Sequence, residues 1–132
     1  MIKYFEILLE LLNIETSESF LSVASLIEQN PEKKLIVHHR LGFVFEWFWE
    51  LIHDQISLEE FMALGDVSSS RPLWEKDTFS SLELLQSPKA LEKIEQGSML
   101  ILDEISFLML SKVEQEKVQE ILEKKEVLLV WC

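Results

Sequence analysis

His38, His39 and Arg40 form the only basic cluster in the sequence that contains histidine. They end the segment KLIVHHR, whose apolar residues predict a short buried strand. Because neighbouring residues of a strand face opposite sides, one metal ion cannot easily bind both histidines. His53 is distant in the sequence and the only cysteine is Cys132, so we expect no metal site. Open α/β sheets bind ligands at the carboxyl edge of their strands, where Arg40 could instead bind an acidic group of a partner.

The acid pair Asp103–Glu104 directly follows the apolar run MLIL within the segment MLILDEISFL. This pattern resembles the Walker B element of P-loop NTPases, in which a strand delivers an acid to the edge of the site. The resemblance implies that Asp103 would hold a magnesium ion and that Glu104 would orient the attacking water. The alternative is a core strand that ends in two solvated acids.

The segment FEILLELLNIETSESFLSVASLIEQN resembles the first strand, phosphate loop and helix of RecA-like recombinases and their paralogues. Laid over that pattern, Leu9 and Ile14 take glycine positions, Glu15 takes the lysine position, and Thr16 keeps the hydroxyl. The segments KKLIVHH and GFVFEWFWELI are similar to the parts of the family that follow. The resemblance implies one RecA-like domain over residues 1–132. Its fold would be α/β, a small doubly wound and mostly parallel sheet flanked by helices.

The departures from that pattern predict a degenerate phosphate loop that does not bind a nucleotide in the usual mode. A glutamate beside the phosphates would cost roughly 4 kcal/mol at about 4 Å and an effective dielectric constant near 20. Leu9 and Ile14 carry Cβ atoms where a phosphate loop needs glycine. We therefore expect no cofactor. The alternative is that residues 4–14 are a plain amphipathic helix, with the following side chains inward: Tyr4, Ile7, Leu8, Leu11 and Leu12.

The elements that would position these residues follow from the apolar periodicity and the capping signals. Phe5–Leu9 could be a buried strand or the start of a helix. Ser57 and Glu60 have the spacing of a capping box, and Gly65 would end that helix. Further helices are predicted over Ser19–Gln29, Phe43–His53, Thr78–Gln86, Pro88–Gln96 and Lys112–Lys125, the last with Val113, Val118, Ile121 and Leu122 inward. Strands are predicted over Lys34–His38, Met99–Leu102 and Val127–Trp131, and an exposed loop over Asp66–Pro72.

Aromatic residues occupy nearly all sides of the predicted helix that begins at Phe43. A helix that is apolar all round is either buried on every side or covers a partner. Trp47, Phe48 and Trp49 cannot all point the same way, so some of them could form an exposed surface for a protein partner. Packing in the core is the alternative for Phe43, Trp47, Phe48 and Trp49.

Composition limits the function further. The chain has 132 residues, 48% of them hydrophobic, and a net charge of −12, which disfavours direct binding to nucleic acid. No apolar run is long enough to span a membrane, and the single cysteine fits a cytoplasmic protein. The resemblance to recombinase paralogues implies a non-catalytic protein-binding or regulatory subunit in homologous recombination and DNA repair. The partner would be another RecA-like subunit or a second copy. The alternatives are a P-loop-related enzyme, similar to the cobalamin adenosyltransferases, and an unrelated α/β adaptor.

Overall fold

The computed structural model of the chain describes residues 2–14, 18–39, 42–63 and 81–132. Its helices are α1 Ile2–Leu11, α2 Glu18–Gln29, α3 Gly42–Ile52, α4 Leu58–Met62, α5 Ser81–Leu85, α6 Pro88–Glu92, α7 Glu104–Leu108 and α8 Lys112–Lys124. Its strands are β1 Leu35–His38, β2 Met99–Leu102 and β3 Leu128–Trp131. Within these residues, no helix is long and apolar enough to cross a membrane. The predictions for Arg40, Glu15, Thr16, Gly65 and the loop Asp66–Pro72 concern residues outside the described part.

The chain divides into two compact units. The helical unit comprises residues 1–32 and 41–77, and the sheet unit comprises residues 33–40 and 78–132. The helical unit contains α1 to α4, and the sheet unit contains the three strands and α5 to α8.

Phenylalanine rings form the core of the helical unit. Phe5, Phe45, Phe48 and Phe61 are each fully buried. The ring of Phe5 meets that of Phe48 edge-on at a centroid distance of 5.1 Å, and that of Phe45 at 5.8 Å. Such pairs add about 1 kcal/mol each to the stabilisation from buried area. These contacts hold α1 and α3 together.

The N-terminal segment is a helix, so the alternative of a buried strand over Phe5–Leu9 is wrong. Phe5, Leu8, Leu9 and Leu12 are buried at the spacing of one helix face. The predicted buried face differs from the observed one: Tyr4 and Leu11 were predicted to face inward, but they are 40% and 53% exposed. The segment IKYFEILLEL is apolar on so many sides that its periodicity alone does not fix the buried face.

The sheet unit is an α/β unit built on a three-stranded parallel sheet in the order β1-β2-β3, flanked by helices. Leu35 pairs with Met99, and Met99 pairs with Leu128. All four residues of β2 are buried, whereas most residues of β1 and β3 are half-buried. The parallel sheet is as predicted, and β2 confirms the prediction that a strand with apolar residues at every position is covered on both faces, whereas β1 and β3 are less buried than predicted.

Capping residues set several helix boundaries as the sequence predicts. Ser57 and Glu60 form the expected capping box at the start of α4. Pro88 is in the first turn of α6 as predicted, but the predicted end at Gln96 is wrong, because α6 ends at Glu92 and Gly97, with φ +75°, does not cap it. One detail of the prediction for α8 is wrong: Val113 was predicted to face inward, but it is 73% exposed.

Candidate functional site

The hydroxyl of Ser81 connects β1 to the residue that follows β2. The backbone N–H of Met99 donates to the carbonyl of Lys34. If the same pairing continued four residues further along each strand, the N–H of Asp103 would donate to the carbonyl of His38. Instead, that N–H donates to Ser81 Oγ at 3.1 Å, and the Ser81 hydroxyl donates to the carbonyl oxygen of His38. The helix α5 therefore supplies the side chain that ends the pairing of the two strands at the carboxyl edge of the sheet.

Asp103, the candidate Walker B acid, is the N-cap of α7. One carboxylate oxygen accepts the N–H of Ile105 at 3.3 Å, and the other accepts the hydroxyl of Ser106 at 3.3 Å. Glu104 is exposed, and its N–H donates to the carbonyl of Cys132 at 3.2 Å, next to β3. The pair thus lies at the carboxyl edge, as predicted, and the carboxylate of Asp103 begins a helix there. Within the described residues, no three His, Cys, Asp or Glu side chains could hold a metal ion together.

The histidines at the end of β1 are half-buried. Desolvation by burial lowers the pKa of His38 below its ordinary value. The neutral imidazole is therefore favoured at this edge of the sheet. Arg40, the third member of the cluster, lies outside the described residues.

The residues assigned to a degenerate phosphate loop end a helix where the structure describes them. Asn13 has φ 58°, its N–H donates to Glu10, and the N–H of Ile14 donates to the carbonyl of Leu9 at 2.9 Å. This pair of bonds around a left-handed residue is a Schellman motif. Leu9 is buried and Ile14 is half-buried, and the hydrogen bond between their backbone groups ends the helix. Glu15 and Thr16 are not among the described residues.

Two of the four aromatic candidates for partner binding are core residues. Phe48 is fully buried and Phe43 is 6% exposed, so the prediction that they face a partner is wrong. Trp47 and Trp49 are half-buried. The ring of Trp49 stacks on that of His53 at a centroid distance of 3.8 Å. Nδ1 of His53 lies within hydrogen-bond distance of the carbonyl oxygen of Trp49, and Nε2 within hydrogen-bond distance of that of Pro31. The end of α3 therefore uses Trp49 for internal packing.

A different apolar surface lies on α7 and the start of α8. We call it the α7–α8 patch, and it consists of Ile105, Leu108, Met109 and Val113, which are 65–73% exposed. The spacing i, i+3, i+4 places the first three on one face, while Phe107 points elsewhere and packs against Trp131 at 4.5 Å. Sequence reasoning missed this patch because it assigned the acids before it to a site and Val113 to the core. The available signal was the run ISFLML, which is too apolar for so short a helix to bury entirely.

A shallow groove lies between α6 and α8. Its volume is about 190 Å³, with Leu91, Val118 and Ile121 in its lining. Small-molecule pockets usually measure about 300–1,000 Å³. The groove is therefore too small for a typical cofactor.

The two units differ strongly in charge. The helical unit has 14 Asp and Glu against 3 Lys and Arg, so its net charge is −11. The sheet unit has 10 acids against 9 bases, so its net charge is −1. The sheet unit, which carries the α7–α8 patch, can therefore approach another protein with little long-range repulsion of its own.

Comparison of the chain with protein-family models found no match, and comparisons with curated proteins and with solved structures found no significant match.

Proposed function

We propose that this chain is a non-catalytic subunit that binds another protein through the α7–α8 patch. The observation that carries the proposal is the 65–73% exposure of Ile105, Leu108, Met109 and Val113 on one short stretch of the sheet unit. Isolated exposed apolar residues are ordinary, but three on one helix face, with a fourth four residues further along the chain, are typical of an interaction site. A partner that covers these side chains would remove them from water, at a gain of about 25 cal/mol for each Å² of apolar area.

Three features support a binding role over catalysis. The carboxylate of Asp103 accepts two hydrogen bonds within its own helix start. The segment laid over a phosphate loop is helical up to Leu11, and the groove beside α8 is smaller than a usual cofactor site. Proteins that cradle phosphate rely on free backbone N–H groups in a glycine-rich loop. We therefore propose that the chain does not hydrolyse nucleotide.

The charge of the chain acts on a partner mainly at long range. The net charge of −12 attracts a protein with basic residues, whereas the sheet unit that carries the patch has a net charge of −1 and favours neither sign at the contact itself. The segment laid over the first strand of RecA-like recombinases is a helix, so the resemblance now depends on the strand Met99–Leu102 and the acids that follow it. That remaining part makes another RecA-like subunit of homologous recombination the partner class to test first. Direct binding to nucleic acid is disfavoured by the same negative charge.

The proposal is tested with three tagged baits incubated in extract from the native source. The baits are the wild-type chain, the double variant Leu108→Asp/Met109→Asp, and the matched control Leu11→Asp. Leu11 is exposed like the patch residues but lies on α1. We expect a protein that is retained by the wild type and by Leu11→Asp and is lost from the double variant. With that protein purified, the double variant should raise Kd by roughly thirtyfold or more.

Two results would contradict the proposal. Identical retention by all three baits would mean that the patch binds nothing. A rise in melting temperature with millimolar ATP and magnesium would reveal nucleotide binding, because a ligand of the folded state stabilises it. That rise would favour the alternative of a P-loop-related enzyme.

A further inference from the structure

The outer edge of β3 carries backbone groups that point away from the sheet. The N–H of Leu128 donates to the carbonyl of Ser98 at 2.9 Å, and the N–H of Cys132 donates to the carbonyl of Leu102 at 2.9 Å. Because successive residues of a strand alternate in direction, the N–H and C=O groups of Leu129 and Trp131 point to the opposite side. Among the described residues, β2 is the only strand that pairs with β3, and no hydrogen bond is found to the backbone of these two residues.

The sequence of this strand has none of the usual features that keep an edge from pairing. Natural edge strands are protected by lysine, proline, bulges or inward-pointing charges. Residues 127–131, VLLVW, contain no charged residue, proline or glycine, and they are β-branched, aliphatic or aromatic. Unpaired backbone groups beside such side chains favour the addition of another extended strand.

We propose that two copies of this chain associate through β3, with the two strands antiparallel about a two-fold axis at Val130. Leu129 of one copy then lies opposite Trp131 of the other, and each pair exchanges both of its N–H···O=C bonds. The pairing joins the two three-stranded sheets into one. It uses backbone groups of β3 and none of the side chains of the α7–α8 patch, so it goes beyond the binding role proposed above.

A second copy fits this edge better than a basic partner does. The sheet unit has a net charge of −1, so its β3 offers no local attraction to a cationic strand and little repulsion to its own copy. The outward N–H and C=O groups of Leu129 and Trp131 are self-complementary under a two-fold rotation. The whole chains, each at −12, still repel each other at long range. Added salt screens that repulsion, so the dimer should become tighter with salt.

The association is measured on the full chain by sedimentation equilibrium from micromolar to millimolar concentration. We expect the average mass to rise from one chain toward two, and to do so at lower concentration when salt is added. In parallel, hydrogen exchange is followed at three amides. Those of Leu129 and Trp131 should become protected as the dimer forms, while the amide of Val130, which faces β2, should be protected throughout.

Two variants of Leu129 distinguish the effect on the dimer of losing the backbone N–H from the effect of shortening the side chain. Leu129→Pro removes the outward N–H, which is a position where an edge strand tolerates proline. Leu129→Ala shortens the same side chain but keeps the N–H. We expect Leu129→Pro to raise the dimer Kd about tenfold or more relative to Leu129→Ala, because one donor is lost from each copy.

Failure of the β3 dimer can be distinguished from failure of partner binding by the α7–α8 patch. The variant Leu108→Asp/Met109→Asp should lose its protein partner and still form the β3 dimer. A mass of one chain at every concentration, or a dimer in which Leu129 and Trp131 exchange as fast as in the monomer, would overturn the proposal. If Leu129→Pro fails to fold, the exchange pattern of the wild-type chain decides alone.

Discussion

The hydroxyl of Ser81 lies 3.1 Å from the backbone nitrogen of Asp103 and accepts its hydrogen. The same hydroxyl donates to the carbonyl oxygen of His38, so one buried side chain satisfies a backbone donor and a backbone acceptor. On the other side of β2 the strand pairing continues directly, from the N–H of Glu104 to the carbonyl of Cys132. The carboxyl edge is thus closed by α5 on one side and by backbone pairing on the other.

Replacing Ser81 with alanine should destabilise the chain by about 2 kcal/mol, because a buried donor and a buried acceptor lose their partner. Ser98→Ala is the matched control. Ser98 is equally buried, but its hydroxyl makes one hydrogen bond, to the carbonyl of Glu95 at 2.8 Å. The free energy of unfolding is measured in urea for both variants. Equal losses in the two would show that the bridge between β1 and Asp103 contributes nothing beyond an ordinary serine contact.

The titration of His38 should make stability depend on pH. Burial lowers the pKa of His38 in the folded chain, so the unfolded chain binds this proton more readily. The neutral form gives full stability above the unfolded value of about 6.5. Stability then falls as the pH drops below that value toward the lowered folded pKa. His38→Gln should remove this part of the dependence, which appears as the difference in melting temperature between the two proteins from pH 8 to pH 5. A constant difference would contradict the prediction.

The elements that the sequence predicts well are those with one strong local signal. The capping box of Ser57 and Glu60 and the uniformly apolar strand Met99–Leu102 are both observed. The buried face of α1 was not predictable, because residues on nearly every side of it are apolar. The α7–α8 patch was missed for the same physical reason: sequence patterns place every apolar residue inward by default. Whether Leu108 is covered depends on tertiary packing, which periodicity does not contain.

The role of Asp103 shows a second limit. An acid after an apolar strand can hold a metal ion or cap the next helix, and both roles use the same residue type at the same position. Only the placement of Ile105 and Ser106, whose N–H and hydroxyl groups donate to it, distinguishes the cap.

The residues with left-handed backbone conformation at the ends of α1 and α8 lead to a prediction about stability. Asn13 and Glu126 have φ of 58° and 53°, and each is followed by a residue whose N–H closes the helix. Glycine adopts this conformation without the strain of a Cβ atom, and asparagine tolerates it better than glutamate does. Glu126→Gly should therefore stabilise the chain by about 1 kcal/mol, and Asn13→Gly by clearly less. Urea unfolding of both variants checks the order, and a larger gain for Asn13→Gly would reverse the argument.

The last prediction separates surface from core within α7. Leu108 is 65% exposed, whereas Phe107, its neighbour, packs on Trp131. Leu108→Ser should change the free energy of unfolding by less than about 0.5 kcal/mol, since exposed side chains contribute little to folding. Phe107→Ala should cost about 2 kcal/mol through lost packing. Leu108→Ser should also lower the tendency to aggregate, measured by light scattering at high concentration, because it interrupts the patch. If Leu108→Ser is as destabilising as Phe107→Ala, Leu108 is a core residue and the patch cannot serve as the binding surface.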